Sequence, residues 1–218
     1  MDRFAHYDWP FLEERHRRLA ADAEAWCRKN ISQDEHADAD ATCVKFVAQL
    51  GQAGFLEHCV SATPDVRSIA LLREIFAYHH GLLDFAFVMQ GLGSGPIVLD
   101  GTDAQKKAWL TKVAKGESIA AFALSEPEAG SDVAAMATKA TRTQEGWVLD
   151  GTKTWISNGI HGPAFAVLVK TDPDAQPRHR GMSLFICEKG PGFVASRKLE
   201  KIGYKGSIAG YGKLLRMF

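Results

Sequence analysis

Cysteine is scarce in this sequence, and its spacing excludes two common kinds of site. The 218 residues contain four cysteines, and no two of them lie closer than 16 positions: Cys27, Cys43, Cys59 and Cys187. This spacing does not fit a CxxC redox motif or a zinc site built on close cysteine pairs. We expect four isolated, reduced thiols.

The sequence also lacks an excess of either charge. Its 26 Lys and Arg residues balance 26 Asp and Glu residues, and no run of basic residues is dense enough for a nucleic-acid surface, so we expect no nucleic-acid partner. The sequence contains no GxGxxG motif, and a Rossmann-type nucleotide site is therefore not expected.

No segment has the composition of a targeting peptide or of a membrane span. The N-terminus carries Asp2 and Asp8 and has no apolar core of the kind that a signal peptide needs. The longest nearly uncharged stretch, residues 81–99, contains Asp84, four glycines and Pro96, which makes it a poor membrane span. We expect a cytoplasmic protein.

Up to residue 117, apolar residues recur every three or four positions, which is the spacing of a helix. Thr102, followed three residues later by Gln105, has the form of a capping box that opens a helix. The adjacent His79 and His80 would point about 100° apart on a helix, so they predict no metal site. Residues 1–117 are thus predicted to form an all-α domain. The other predicted helices contain Leu12, Leu19, Ala23 and Trp26; Val44, Val47 and Leu50; Ile69, Leu72, Ile75 and Phe76; and the apolar run Leu82–Met89.

From residue 118 onward the apolar period becomes two, which indicates strands. Asp150-Gly151 has the composition of a type I′ turn, so Trp147–Leu149 and Thr152–Ser157 are predicted to form a hairpin. The fold class is therefore α+β: a helical domain followed by a small antiparallel β-barrel or sandwich at 118–207. Residues 208–218 are predicted to be a short, atypical tail. Further predicted strands are Ile119–Leu124, Phe165–Lys170, Met182–Cys187 and Gly192–Arg197, with a polar surface loop at Asp172–Arg180.

One candidate for a binding loop is the segment AFALSEPEAGSD, residues 121–132. Pro127 favours an extended conformation at Glu126, and Gly130 allows a close approach of the backbone to another group. Ser125 and Ser131 offer hydroxyl and N–H groups that could bind a polar heterocycle or an anion. Taken alone, these residues favour the alternative of an ordinary loop that connects two strands.

A second candidate is the segment DGTKTWISNG, residues 150–159. Strict alternation places Lys153, Trp155 and Ser157 on one face of a strand, where the indole could stack on a flat ring and the hydroxyl could donate to it. The alternative is that Trp155 belongs to the core, as most tryptophans in small β-barrels do.

Together these segments closely resemble the acyl-CoA dehydrogenase family. LSEPEAGSD is followed about 20 residues later by DGTKTWISNG, and LGQAGF, GLGSGPIVLDGTDAQKKAWLTKVAKGE and LEKIGYKGS are similar to other parts of that family, so that the resemblance covers residues 10–207. It implies an FAD-dependent flavoprotein that removes hydrogen across Cα–Cβ of an acyl-CoA substrate in fatty acid metabolism. It also implies a homo-oligomer.

The resemblance further implies which residues contact the flavin. It assigns the isoalloxazine contacts to Phe122, Leu124 and Ser125 and continues the site through Gly130 and Ser131, where Ser131 also meets the CoA moiety. In the second segment it places Trp155 and Ile156 near the ring and gives Ser157 a hydrogen bond to N5. The family often has Thr where Ser125 and Ser157 stand, so the hydroxyl is kept.

The sequence departs from the family's pattern after LEKIGYKGS, where it reads IAGYGKLLRMF. The family's four-helix bundle, which holds its catalytic glutamate, much of its oligomer interface and part of the FAD contacts, is therefore expected to be missing. No catalytic residue is assigned, because Glu126 and Glu128 belong to the flavin-facing loop. Two alternatives stay open: a flavin monooxygenase or oxidase of the same fold, and a non-catalytic remnant or subunit that binds acyl-CoA or FAD.

Overall fold

The computed structural model describes residues 5–32, 38–201 and 209–217, and its first part is helical. A short 3-10 turn at Ala5–Asp8 precedes the helices. The α-helices are α1 Glu14–Asn30, α2 Ala39–Gln52, α3 Glu57–Val60, α4 Val66–His79, α5 Gly81–Asp100 and α6 Asp103–Ala114. Every helix predicted from the apolar spacing is confirmed.

An aromatic cluster forms the centre of the helical part. Trp26 on α1 packs edge-to-face on Phe55 with ring centroids 5.4 Å apart, and Phe76 on α4 contacts Phe55 at 5.4 Å and Phe87 on α5 at 5.2 Å. Edge-to-face packing of this kind adds to the free energy gained by burying the rings. The cluster therefore joins α1, α4 and α5 around one apolar core.

Side chains at the helix ends satisfy backbone groups as the sequence predicts. The side-chain oxygen Oε1 of Gln105 accepts from the Thr102 N–H at 2.8 Å, and Thr102 Oγ1 accepts from the Gln105 N–H at 3.2 Å, so the capping box is confirmed. His80 Nδ1 accepts from the Leu82 N–H at 3.1 Å at the start of α5, and His79 Nε2 lies 2.9 Å from Glu24 Oε2. The two histidines thus have structural roles.

Helix α5 is the most apolar element of the chain. By length and composition alone it is the one helix among the described residues that could cross a membrane, and 67% of its apolar 18-residue stretch is buried inside the protein. The helix packs against α2, α3, α4 and the first strand, which is how a core helix of a globular protein behaves. Its burial explains why its polar face is so small.

The second part of the chain is a seven-stranded sheet. Its strands are β1 Ala120–Ala123, β2 Lys139–Arg142, β3 Trp147–Ser157, β4 Ala164–Lys170, β5 Met182–Glu188, β6 Phe193–Lys198 and β7 Ala209–Met217. The path of the sheet is β1-β4-β2-β3-β7-β6, and β5 pairs with the other edge of β4. The α+β fold class is confirmed, with a curled half-barrel in the place of the predicted barrel.

The predicted antiparallel pairing holds for most of the sheet but not for all of it. β1 and β2 both run parallel to β4, with Ala120 opposite Ala164 and Lys139 opposite Lys170. These strands are short and separated by long connections, and parallel neighbours require such crossovers. The sheet is therefore mixed.

The predicted hairpin at Asp150-Gly151 is wrong. β3 continues through both residues, and the hairpin turn lies earlier, where the Thr143 N–H donates to the Gly146 carbonyl at 2.8 Å. Gly151 has φ +156°, and a Cβ placed on it would lie 2.3 Å from Oγ1 of Thr138. The glycine is needed for this close approach and not for a turn.

The segment predicted to be a tail also takes part in the sheet. Its residues 209–217 form β7, which lies between β3 and β6 and pairs antiparallel with both. β3 thus pairs with β2 over its first four residues, 147–150, and with β7 from Leu149 to Ser157. The boundaries of the two domains at residues 117 and 207 stay a prediction.

All four cysteines are buried and free, as the sequence predicts. Burial raises the pKa of each thiol to about 12. At neutral pH these side chains are therefore protonated thiols with little nucleophilic character.

The helices and the sheet meet at the start of β1. The Ala120 N–H donates to Oε1 of Gln90 on α5 at 2.8 Å, and the Ala120 carbonyl accepts from Nδ2 of Asn158 at 3.1 Å. Gly93 on α5 lies directly against β1: a Cβ added there would be 2.7 Å from the Ala121 nitrogen. The close contact of α5 with β1 thus depends on a glycine.

Adding one methyl group at Gly93 should therefore weaken the fold. We expect Gly93→Ala to lower the free energy of unfolding by about 1–3 kcal/mol, because the backbone of β1 cannot move away cheaply. Gly95→Ala, two residues further on the same helix and facing open space, should leave stability unchanged or raise it by up to about 1 kcal/mol. Urea denaturation of both variants checks the expectation, and equal effects would contradict it.

Candidate functional site

The structure brings the two candidate segments into direct contact. The loop 124–132 leaves the end of β1 and lies beside the second half of β3. The Thr154 N–H donates to the Ser125 carbonyl at 2.8 Å, and Lys153 Nζ donates to the Leu124 carbonyl at 3.0 Å. These two bonds fix the start of the loop against the strand, so residues 29 positions apart in sequence form one surface.

Where β3 meets the loop, its side chains do not alternate between the two faces of the sheet. Lys153 is 1% exposed, the next residue Thr154 is also buried, and Trp155 is 58% exposed. The pairing of β3 with β7 shifts register between Lys153 and Ile156, and Trp155 has φ +58°. The prediction that Lys153 and Trp155 share a face is wrong, because a bulge inserted between them turns the indole outward.

The alternative that Trp155 belongs to the core is also wrong. More than half of its side chain lies at the surface, and a non-glycine residue at positive φ carries strain of about 1–3 kcal/mol. Ile156 follows it with a side chain that is 1% exposed and belongs to the sheet core. The predicted contact of Ile156 with a ring can therefore involve only its backbone.

Below the loop lies a buried ion pair that the sequence did not reveal. Lys153 Nζ is 2.9 Å from Oε1 of Glu126, and both side chains are at most 5% exposed. The Glu126 carboxylate also accepts from the backbone N–H groups of Ala137 at 2.6 Å and Thr138 at 3.0 Å. One carboxylate thus holds the loop, the segment before β2 and the middle of β3 together.

Burial and hydrogen bonding act on the two charges of this pair in different ways. Burial alone raises the pKa of Glu126, but hydrogen bonds from Thr138, Ala137 and Lys153 outweigh it and bring the pKa below its ordinary value. Burial lowers the pKa of Lys153, and Glu126 opposes that shift. The carboxylate is therefore ionised at neutral pH, and its acceptor sites are taken by structural donors.

The contribution of Glu126 to stability should depend on pH in a defined direction. A carboxyl whose folded-state pKa lies below the ordinary value of 4.5 contributes stability that is present above that pH and is lost as the pH falls through the folded-state pKa. Glu126→Gln removes this contribution. The difference in free energy of unfolding between wild type and Glu126→Gln should be largest at neutral pH and should shrink below pH 4.5. Denaturation over this pH series measures it, and a constant difference would contradict the assignment.

The remaining predicted contacts lie along the same surface. Phe122, Leu124, Ser125 and Ser157 are partly exposed, whereas Gly130 and Ser131 are exposed at the outer end of the loop. A Cβ at Gly130 would meet open space. No described residue makes a hydrogen bond with the hydroxyls of Ser125, Ser131 or Ser157, so all three can bind a ligand.

Carboxylates and metal ligands are sparse around this surface. Glu128 and Asp132 are exposed on the loop, and Asp132 pairs with Arg178 at 3.1 Å. Among the described residues, no group of three His, Cys, Asp or Glu side chains is arranged to hold a metal ion. The arrangement is a surface with an exposed indole and several hydroxyls that have no hydrogen-bond partner among the described residues.

Comparison with known proteins gives matches along nearly the whole chain. Residues 13–117 match the family model described as acyl-CoA dehydrogenase, N-terminal domain, and residues 121–214 match acyl-CoA dehydrogenase, middle domain. The mitochondrial isovaleryl-CoA dehydrogenase of Pongo abelii is 47% identical over 112 residues, which are 51% of this chain and 26% of that protein.

Solved structures agree with these matches. An acyl-CoA dehydrogenase from Geobacillus kaustophilus superposes with a TM-score of 0.82 at 31% identity, over 95% of this chain and 57% of that one. An acyl-CoA dehydrogenase from Bacillus anthracis complexed with FAD gives a TM-score of 0.78 at 31% identity, over 94% of this chain and 36% of that one. The chain thus spans about a quarter to just over half of the length of these proteins.

Proposed function

Because the chain belongs to the acyl-CoA dehydrogenase family, we propose that it carries the flavin-facing surface of an FAD-dependent acyl-CoA dehydrogenase. The observation that carries the proposal is the outward-turned Trp155 at φ +58°, beside a loop whose backbone is tied to β3. Strain of this kind at a surface aromatic residue points to a functional role for the exposed ring. A flat heterocycle is the ligand that such a ring suits best.

The residues of this surface fit a flavin. Trp155 supplies a stacking face, and the hydroxyls of Ser125, Ser131 and Ser157 supply donors and acceptors for the polar edge of the isoalloxazine. The related structure from Bacillus anthracis is described as complexed with FAD, and this supports FAD as the cofactor. Phe122, Leu124 and Gly130 would complete the apolar wall and leave room for the ring.

Bound at this surface, FAD would supply the acceptor for a hydride from the β-carbon of an acyl thioester. The protein's task is then to hold the ring in a fixed position, since alignment of reacting groups accounts for much of enzymatic rate enhancement. Glu126 cannot act as the base for the α-proton, because it is buried and bound to Lys153, Ala137 and Thr138. No other described residue is assigned that role.

We infer the substrate class from the family, and we infer the kind of acyl group from the names of the relatives. Several matched proteins are named for short or branched acyl-CoAs, among them isovaleryl-CoA and short-chain acyl-CoA dehydrogenases. We propose a short or branched acyl-CoA and a homo-oligomer for the whole protein. These relatives are named as mitochondrial, so the cytoplasmic location stays a prediction.

A titration with FAD tests the flavin contact at Ser157. If its hydroxyl hydrogen-bonds to the ring, Ser157→Ala should weaken FAD binding by about 2–10-fold, the value of one neutral hydrogen bond. Ser157→Thr keeps the hydroxyl and should retain the affinity. Quenching of flavin fluorescence measures both, and an Ala variant that binds FAD as tightly as wild type would contradict this contact.

A further inference from the structure

The bulge in β3 decides where the indole of Trp155 lies. Thr154 and Trp155 together stand opposite a single residue of β7, and Trp155 has the left-handed φ of +58°. In a regular strand the period of two would place Trp155 on the same buried face as Lys153. The exposed position of the indole therefore depends on the contacts that hold the bulge.

The loop 124–132 takes a backbone hydrogen bond from the bulge. The Thr154 N–H donates to the Ser125 carbonyl at 2.8 Å and is thereby directed to the loop instead of to β7. The side chains of Lys153 and Thr154 are 1% and 6% exposed, so two consecutive residues are buried where a strand would alternate. A left-handed tryptophan is unfavourable by itself and persists only where surrounding contacts force it. The contacts of residues 153 and 154 with the loop compete in this way with regular pairing of β3.

The ammonium group of Lys153 makes two of these contacts. Its Nζ donates to the Leu124 carbonyl at 3.0 Å and to Oε1 of Glu126 at 2.9 Å. The carboxylate of Glu126 is itself held by the N–H groups of Ala137 and Thr138. Charge-assisted hydrogen bonds are stronger than neutral ones. Residue 153 is therefore tied to a fixed carboxylate two positions before the indole.

We propose that Lys153 and Glu126 are positioning residues for flavin binding: their buried pair holds the bulge, and the bulge presents the indole of Trp155 to the ring. The inference rests on the proposed function, in which Trp155 stacks on the isoalloxazine. Neither charged group reaches the surface, since both side chains are at most 5% exposed. The pair acts through Trp155, because an indole that is already in place loses less entropy when FAD binds.

A positioning role and a purely structural role predict different results for one double variant. Lys153→Met with Glu126→Gln leaves no buried charge unpaired, so the chain should fold, but methionine cannot donate to the Leu124 carbonyl. If the pair positions the indole, this variant should bind FAD about tenfold more weakly than wild type, close to the loss expected for Trp155→Ala. If the pair serves stability alone, the affinity for FAD should recover together with the stability.

The test measures FAD affinity by quenching of flavin fluorescence in four forms of the 218-residue chain: wild type, the double variant, Trp155→Ala and the triple variant. Because the pair acts through the indole, the triple variant should bind FAD as tightly as Trp155→Ala does, so the two losses should not add. Lys139→Met, at an exposed position of β2, is the matched control and should keep the wild-type affinity. Circular dichroism confirms that each form is folded.

A second measurement needs no ligand. A soluble paramagnetic agent broadens the NMR signals of exposed groups, so the indole N–H of Trp155, whose side chain is 58% exposed, should broaden in wild type and less in the double variant.

Three outcomes would overturn the proposal: a double variant that binds FAD like wild type, additive losses of affinity in the triple variant, or equal broadening of the Trp155 indole in both proteins. Wild-type FAD affinity in Trp155→Ala alone would contradict the proposed flavin contact instead. The broadening experiment then still decides whether the Lys153–Glu126 pair holds the bulge, so the two failures are distinguishable.

Discussion

Replacing Lys153 with methionine should lower the free energy of unfolding by about 3–5 kcal/mol, the usual effect of removing one partner from a buried ion pair. The lysine is 1% exposed and donates to Glu126 and to the Leu124 carbonyl. Without it, a buried carboxylate loses its counter-charge and the loop loses its tie to β3. Urea denaturation at neutral pH measures the loss.

Two control variants separate the pair from a general effect of removing a lysine. Lys139→Met, at an exposed position of β2, should change the free energy of unfolding by less than about 0.5 kcal/mol. The double variant Lys153→Met with Glu126→Gln should recover part of the loss, because no buried charge is then left unpaired. A single Lys153→Met variant as stable as Lys139→Met would show that the pair has no structural role.

Replacing Trp155 with alanine should weaken FAD binding by about tenfold or more, the range found when an aromatic residue that stacks on a heterocycle is truncated. Stability should change by no more than about 0.5 kcal/mol, because the indole lies at the surface. Trp155→Phe keeps a flat ring and should retain most of the affinity. The combination of lost binding and kept stability separates a site residue from a core residue.

The opposite pattern would contradict the assignment of Trp155. If Trp155→Ala lost several kcal/mol of stability and kept its affinity for FAD, the indole would be a packing residue despite its exposure. Flavin fluorescence titrations and urea denaturation on the same preparations distinguish the two patterns. Circular dichroism confirms that the variants are folded.

The helical part could be predicted from the sequence because its signals are local. The spacing of Leu19, Ala23 and Trp26 and the Thr102–Gln105 capping box depend only on residues three or four positions apart. These signals act within single helices, and the structure contains each of those helices. The spacing of apolar residues was therefore enough to predict the order of the helices.

The sheet could be predicted only in part, since its details depend on distant residues. Gly151 resembles a turn glycine, but it is required where Thr138 packs against β3. The parallel pairing of β1 with β4 joins residues more than 40 positions apart, and no local period encodes it. Short apolar runs between polar loops predict β1, β3, β4, β5 and β6, but they predict neither β2 nor β7.

Prediction of the site was limited in the same way, because its details also depend on distant residues. Strict alternation placed Lys153 and Trp155 on one face, and the bulge that separates them leaves no mark in the residue types, because tryptophan has no preference for positive φ. The Lys153–Glu126 pair spans 27 positions and is likewise invisible to local patterns. The flavin-facing residues came from the family resemblance.

The most direct test of the flavin surface is the response of the five tryptophan indoles to FAD. Each of Trp9, Trp26, Trp109, Trp147 and Trp155 gives one indole N–H signal in a nitrogen–proton correlation spectrum, and Trp155→Phe identifies the signal of Trp155. As FAD is added, the signal of Trp155 should shift most, together with the amides of Ser125, Ser131 and Ser157. A spectrum in which Trp155 is unchanged while another indole responds, or in which none responds, would contradict the account.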